Sequence, residues 1–255
     1  MAVPSHGSVA RYVGAAFVAQ FSTSLAAGLL SASMLSGGAG QVVAAVGADP
    51  SRLRTVIVLE LFTSVGIIAL TSLLYVALRD TVRWVATLAF ALWLAEATVL
   101  AVSMLSLYAL LDLVGMGVGS GSAMSASDEV IGQVAVGLHE HGADIAMLFF
   151  AAGALLWYWL FLRTGFVPRW LSIWGLASVA LVTLATLVLV WNRDLTPPIW
   201  LYAAYVPFEL VVGLWLLVTG SPDGPEHPDA SRPQHLPPEQ PAGGAIEVRP
   251  GASAP

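Results

Sequence analysis

The chain has 255 residues, of which 57% are hydrophobic and 10% charged, where soluble domains carry roughly a quarter charged, so a soluble globular fold is excluded and a membrane protein expected. No cysteine occurs, which rules out disulfides, thiolate metal sites and thiol nucleophiles. Of the formal charge of −6, half falls in the last 35 residues, where Asp223, Glu226, Asp229, Glu239 and Glu247 outnumber Arg232 and Arg249, and no basic stripe remains for nucleic acid.

Apolar runs of about 20 residues, enough to cross a bilayer, lie at 12–34, 54–78, 84–111, 143–162, 170–191 and 198–219. They predict an all-α polytopic protein with six transmembrane helices in a domain spanning residues 1–220. The first run is too long for a signal-peptide core and five more follow, so it reads as an uncleaved helix. Asp49-Pro50 supplies an N-cap and a proline for a first turn, and Pro168 and Pro197 suit the starts of the fifth and sixth helices. Gly115 to Ser127 reads as a flexible connection, with Ser127, Asp128 and Glu129 suited to a helix start that projects beyond the membrane. Gly220-Ser221-Pro222 ends the last helix. Residues 221–255 hold nine of the 15 prolines and too few apolar residues to offset ordering entropy, so they are expected to form a disordered tail.

Every basic side chain apart from histidine is an arginine. An N-terminus inside the cell puts Arg11, Arg79, Arg83, Arg163 and Arg169 in the cytoplasm, against Arg52, Arg54 and Arg193 outside. Both termini are then cytoplasmic and the last 35 residues with them.

Four acids, Glu60, Glu96, Asp144 and Glu209, interrupt these apolar stretches with no arginine at mid-membrane depth. Inserting a charge there costs roughly 2.5 to 3.5 kcal/mol, and holding a glutamate neutral at pH 7 costs about 3.7 kcal/mol. The two magnitudes do not choose a protonation state. Without a basic partner the carboxyls are left with protonation, shared protons, a bound cation, water or His141. At helical spacing Glu60 shares a face with Thr63, Ser64 and Thr71, and Glu209 shares one with Tyr205 and Tyr202, while Gln20, Ser24 and Ser31 form a polar stripe on the first helix. The blander reading is that these groups lock helix packing through hydrogen bonds. Pro207 removes a backbone hydrogen bond, freeing the Ala203 carbonyl and bending the helix two residues before Glu209.

His139-Glu140-His141 with Asp144 invites a metal reading, but His139 and His141 point about 200° apart on a helix, so no metal site and no cofactor are expected. His141 near Asp144 suits a proton relay toward the exterior. Trp157, Tyr158, Trp159, Trp170, Trp191 and Trp200 lie near expected span ends and read as interfacial anchors. Trp93 and Tyr205, each one turn before a glutamate, lie deeper and could present π-faces to an apolar or cationic ligand.

From Arg52 to Gly220 the chain resembles a bacterial family of uncharacterised integral membrane proteins, domain of unknown function 4386. The most specific stretch runs from Leu160-Phe161-Leu162-Arg163 through Pro168-Arg169-Trp170-Leu171-Ser172 to Trp174-Gly175; Glu60, Glu96, Asp144 and Pro207-Phe208-Glu209 fall where the family pattern has acids. Trp93 departs from the pattern, which commonly has an arginine there. The resemblance implies a six-helix fold in the bacterial cell membrane and supplies no established activity.

The residues support several functions. In the first, helices enclose an acid-lined cavity that binds or protonates an apolar, lipid-like or isoprenoid molecule, with Glu96 or Glu209 as general acid, Glu60 as a further acid, Asp144 with His141 exchanging protons outside, and Trp93, Tyr202, Tyr205, Gln20 and Thr63 lining the site. Membrane-embedded terpene cyclases share that logic by analogy only. In the second, the acids form the titrating path of a proton-coupled transporter. In the third, the protein is a membrane subunit without chemistry of its own. Membrane lipids and an apolar small molecule are the expected partners.

Overall fold

A computed structural model of the chain describes residues 6–117, 125–192 and 200–220. All regular structure among these residues is helical: α1 (His6–Met34), α2 (Ala39–Ala48), α3 (Pro50–Leu78), α4 (Arg83–Gly115), α5 (Ala126–Thr164), α6 (Arg169–Trp191), α7 (Trp200–Ala203) and α8 (Tyr205–Thr219). Helices α1, α3, α4, α5 and α6 are long and apolar enough to cross a membrane, and each contains one of the first five expected runs. The sixth run is divided between α7 and α8. With 15 residues, α8 is about 22 Å long, shorter than the roughly 30 Å hydrocarbon layer. The proline-rich stretch 221–255, Arg193 and Pro197 lie outside the described residues.

Local chemistry sets the helix ends. Asp49 accepts a hydrogen bond from the Arg52 amide at 3.1 Å, with Pro50 opening α3 as its sequence suggests. At α5 the cap is Ser125, not Ser127: its hydroxyl accepts from the Asp128 amide, and the Asp128 carboxylate accepts in return from the Ser125 amide. This reciprocal pair starts the helix at Ala126 and leaves Ser127 inside its first turn. Pro168 sits one position outside α6, whose first residue is Arg169. Gly165 and Gly220 adopt positive φ of 70° and 71° where α5 and α8 end, a conformation glycine reaches without steric cost.

The long helices close a ring in the order α1, α3, α4, α5, α6, α8, with α8 packed back against α1. Neighbours run antiparallel: Thr23 meets Thr63 while Gln20 meets Gly66 between α1 and α3, and Trp93 meets Gly153 while Ser103 meets Gly142 between α4 and α5. Small residues permit the closest approaches. A methyl group on Gly14 would lie 2.4 Å from the Leu217 amide nitrogen, and one on Gly213 would lie 2.9 Å from Phe17 Cβ, so α1 and α8 touch nearly backbone to backbone.

Two apolar cores fill the bundle. The larger, toward the end carrying the α3–α4 and α5–α6 turns, includes Phe17, Leu74, Trp93, Trp157, Tyr158, Phe161 and Phe208. The smaller, at the opposite end, joins Val42, Val43 and Val46 of α2 to Leu53, Ile57, Met104, Leu107 and Leu110. Ten residues cannot cross a membrane, and α2 caps this end by burying its valine face. Outward-facing Phe62, Val65, Leu105, Ile173, Leu187 and Val218 are all more than half exposed. Such a surface is suited to lipid rather than water, and the chain is an all-helical, multi-pass membrane protein.

Candidate functional site

The best-defined polar group crosses the inside of the ring between α4, α5 and α8. The hydroxyl of Tyr205 donates to Oε1 of Glu209 at 2.7 Å, the i to i+4 pairing that their spacing on one helix face predicts. A second hydroxyl, that of Tyr158 on α5, lies 3.1 Å from the Tyr205 hydroxyl. Backbones of α5 and α8 are not neighbours, so these two phenols bridge the interior by the length of their side chains. Glu96 on α4 lies within electrostatic reach of Glu209 and is 8% exposed, against 9% for Glu209. Its Oε2 is buried and has no hydrogen-bond partner among the described residues. A buried carboxyl oxygen in that state is costly.

Aromatic rings wall this group. Trp93, one turn before Glu96, stacks on Phe150 with centroids 6.1 Å apart and donates its Nε1 hydrogen to the Phe150 carbonyl at 3.1 Å. Phe150 meets the edge of Tyr205 at 5.2 Å, and Phe208 lies edge-on to Tyr158 at 4.9 Å and to Trp174 at 5.8 Å. Glycines make room for two of these rings: a methyl group on Gly153 would meet Trp93 Cδ1 at 2.4 Å, and one on Gly175 would meet Phe208 Cζ at the same distance. Edge-to-face contacts place positive ring edges against negative faces and fix ring orientations.

The Pro207 break has a defined anchor. Helix α7 ends at Ala203, Ala204 forms a turn, and α8 begins at Tyr205. The Ala204 carbonyl accepts from Trp174 Nε1 at 3.1 Å and from Ser178 Oγ at 3.2 Å, both on α6. Thus α6, which carries no ionisable group beyond its first residue, holds the turn that positions Tyr205 and Glu209.

The other expected residues lie elsewhere. Thr63 is buried and donates to Leu59 O, with Thr23 Oγ1 2.8 Å away across the α1–α3 seam. Gln20 packs against Gly66 in the same seam, its Oε1 buried and, like Thr71 Oγ1, without a partner among the described residues. Glu60 is half-buried one turn before Thr63, on the side toward α2, and is not among the charges that act on Glu96. Asp144 is half-buried six residues before Phe150, about 9 Å along α5. His141 is exposed and its Nδ1 meets the Gly137 carbonyl. The side chain of Tyr202 lies outside the described residues. Among those residues no three His, Asp or Glu side chains come together as a metal-binding set.

Sequence reasoning placed Trp157 and Tyr158 in an interfacial belt, but both are fully buried. Trp159 beside them is half-buried, with the Arg163 guanidinium 5.3 Å from its ring centroid. The signal for Tyr158 was its hydroxyl: a phenol inside a bundle needs a partner, and the matching tyrosine stands one turn before Glu209.

The family profile described as Domain of unknown function (DUF4386) matches residues 12–220, and the chain belongs to that family. The match takes in α1 as well as the stretch from Arg52 onward. No curated protein and no solved structure matches the chain.

Proposed function

We propose that this DUF4386 protein crosses the bacterial cell membrane six times, with α7 and α8 together forming the last crossing and both termini in the cytoplasm, and that Glu96, Glu209, Tyr205 and Tyr158 form an intramembrane acid/base site for an apolar, lipid-like or isoprenoid molecule. What supports this reading is the Tyr158–Tyr205–Glu209 chain with Glu96 in electrostatic reach of Glu209 from a non-adjacent helix, and no arginine among the described residues paired with either acid. One carboxyl of such a pair can hold a proton while the other accepts hydrogen bonds, the division of labour that general acid chemistry requires. In this scheme Glu96, whose Oε2 has no partner among the described residues, delivers the proton and Tyr205 holds Glu209 in place. Faces of Trp93, Phe150 and Phe208 would steady positive charge developing on the substrate. Glu60 and Asp144 with His141 lie toward the other end and would connect the site to the exterior.

The test is lipid extraction and mass spectrometry of the purified protein, followed by turnover assays on any enriched apolar species. Loss of turnover in Glu96→Gln and Glu209→Gln, with ligand still bound, supports the acid/base reading. Variants that lower thermal stability yet leave every activity and growth phenotype intact would reduce the cluster to a packing device.

The helix break at Ala204 favours a second reading, a proton-coupled carrier, because discontinuous helices beside mid-membrane acids are a recurring transporter device. Substrate-driven proton uptake into liposomes, abolished by Glu209→Gln, would select it.

A further inference from the structure

We propose that the start of α4 forms a binding site for an anionic phospholipid, independent of the acid cluster. Arg83, Trp84, Thr87, Leu88 and Ala91 line a shallow, widely open and mostly apolar strip of the surface. These residues occupy one helix face over nine positions, a rise of about 12 Å from first to last. Their order runs from guanidinium through indole and hydroxyl to bare aliphatic surface, the same gradient a phospholipid presents from phosphate to acyl chain. Trp84 is 70% exposed and Leu88 45%, so the face is open to lipid along its length. Arg83 makes no ion pair among the described residues, while Arg79, four residues earlier across the tight turn, has only the 3.9 Å contact with exposed Asp80. Arg79 also lies 6.0 Å from the Tyr75 ring centroid, and the Tyr75 hydroxyl sits beside Thr87 and Arg83. Two guanidiniums therefore flank the headgroup end of the groove with no comparable density of acid to neutralise them. Charge complementarity selects an anionic over a zwitterionic lipid.

Native mass spectrometry of detergent-purified protein titrated with phosphatidylglycerol or phosphatidylcholine tests the site. Phosphatidylglycerol should bind more tightly, and Arg79→Gln and Arg83→Gln should each weaken it roughly fivefold while leaving phosphatidylcholine unaffected. Arg163→Gln with Arg169→Gln, at the other turn on the same end, should change phosphatidylglycerol affinity less than twofold. Ala91→Phe fills the acyl end of the groove on an exposed face and should weaken phosphatidylglycerol without altering thermal stability, which decides the matter if the arginine variants do not fold. An equal loss from both arginine pairs would show unspecific surface charge and overturn the proposal. So would displacement of the lipid by inorganic phosphate, which marks a free-anion site, or a dimer broken by Ala91→Phe, which marks an interface between copies.

Discussion

Tyr205 and Glu209 are joined at 2.7 Å across one turn of α8, with the Tyr158 hydroxyl behind them at 3.1 Å. Tyr205→Phe removes the donor to Glu209 and the partner of Tyr158 together. The expected loss of stability is about 0.6 to 1.7 kcal/mol, the range for hydrogen bonds between membrane helices. Glu209→Gln, whose amide oxygen still accepts from Tyr205, should cost less than Tyr205→Phe. Thermal unfolding in detergent gives the ranking, and the reverse order would show that Tyr205 does not serve Glu209.

Gly153 admits the Trp93 indole, and Gly153→Ala sets a methyl group 2.4 Å from Trp93 Cδ1. Overpacking of that kind typically costs about 1 to 3 kcal/mol. Trp93→Phe, which shortens the ring and loses the Phe150 carbonyl bond, should recover part of this cost when combined with Gly153→Ala. A double-mutant cycle on unfolding midpoints measures the coupling. Strict additivity would mean that the two residues do not meet.

Glycines along α1 and α3 should rank by what they face. Gly14→Ala collides with the α8 backbone, which has no rotamer to yield, and is expected to cost about 3 kcal/mol or more. Gly66→Ala meets Gln20 Cβ at 3.2 Å and its Cα at 3.5 Å, a tight contact short of the Gly14 collision, and gains helix propensity, so it should stay within about 1 kcal/mol of the parent. Expression and unfolding of the pair distinguish the two contacts.

Asp49, outside the spans, has its carboxyl held below the usual aspartate value of 3.8 by the Ser51 hydroxyl and the Arg52 amide. Because the folded form binds its proton more weakly than the unfolded one, this cap stabilises the first turn of α3 above pH 3.8. The contribution fades as the pH falls through the lowered value. Protection factors of the residue 51–56 amides, corrected for the intrinsic exchange rate at each pH, should therefore fall on acidification in the parent, with Asp49→Asn removing the pH dependence while keeping a capping oxygen. Identical acid profiles in both proteins would discount the cap.

The five long apolar helices were legible because a run of 20 apolar residues has few alternatives to a membrane helix. The pairing of Tyr205 with Glu209 was legible too, since both lie on one helix at a spacing that geometry fixes. Which helices meet was not. In lipid the outward face of a helix is as apolar as its packed face, so Phe62 and Leu70 look alike in sequence although one is 62% exposed and the other 2%. The same ambiguity put Trp157 and Tyr158 in the belt with Trp159. The approach of Glu96 to Glu209 depends on α8 closing the ring against α1, a relation that no local pattern encodes. Helix α2 escaped because ten residues fall below any membrane-span length, and its three valines become a face only against α3, α4 and α5.

The two bonds that tie the Ala204 carbonyl to Trp174 and Ser178 make α6 a lever for the last helix. If α6 tilts, the Tyr205 turn must follow or surrender both donors at once.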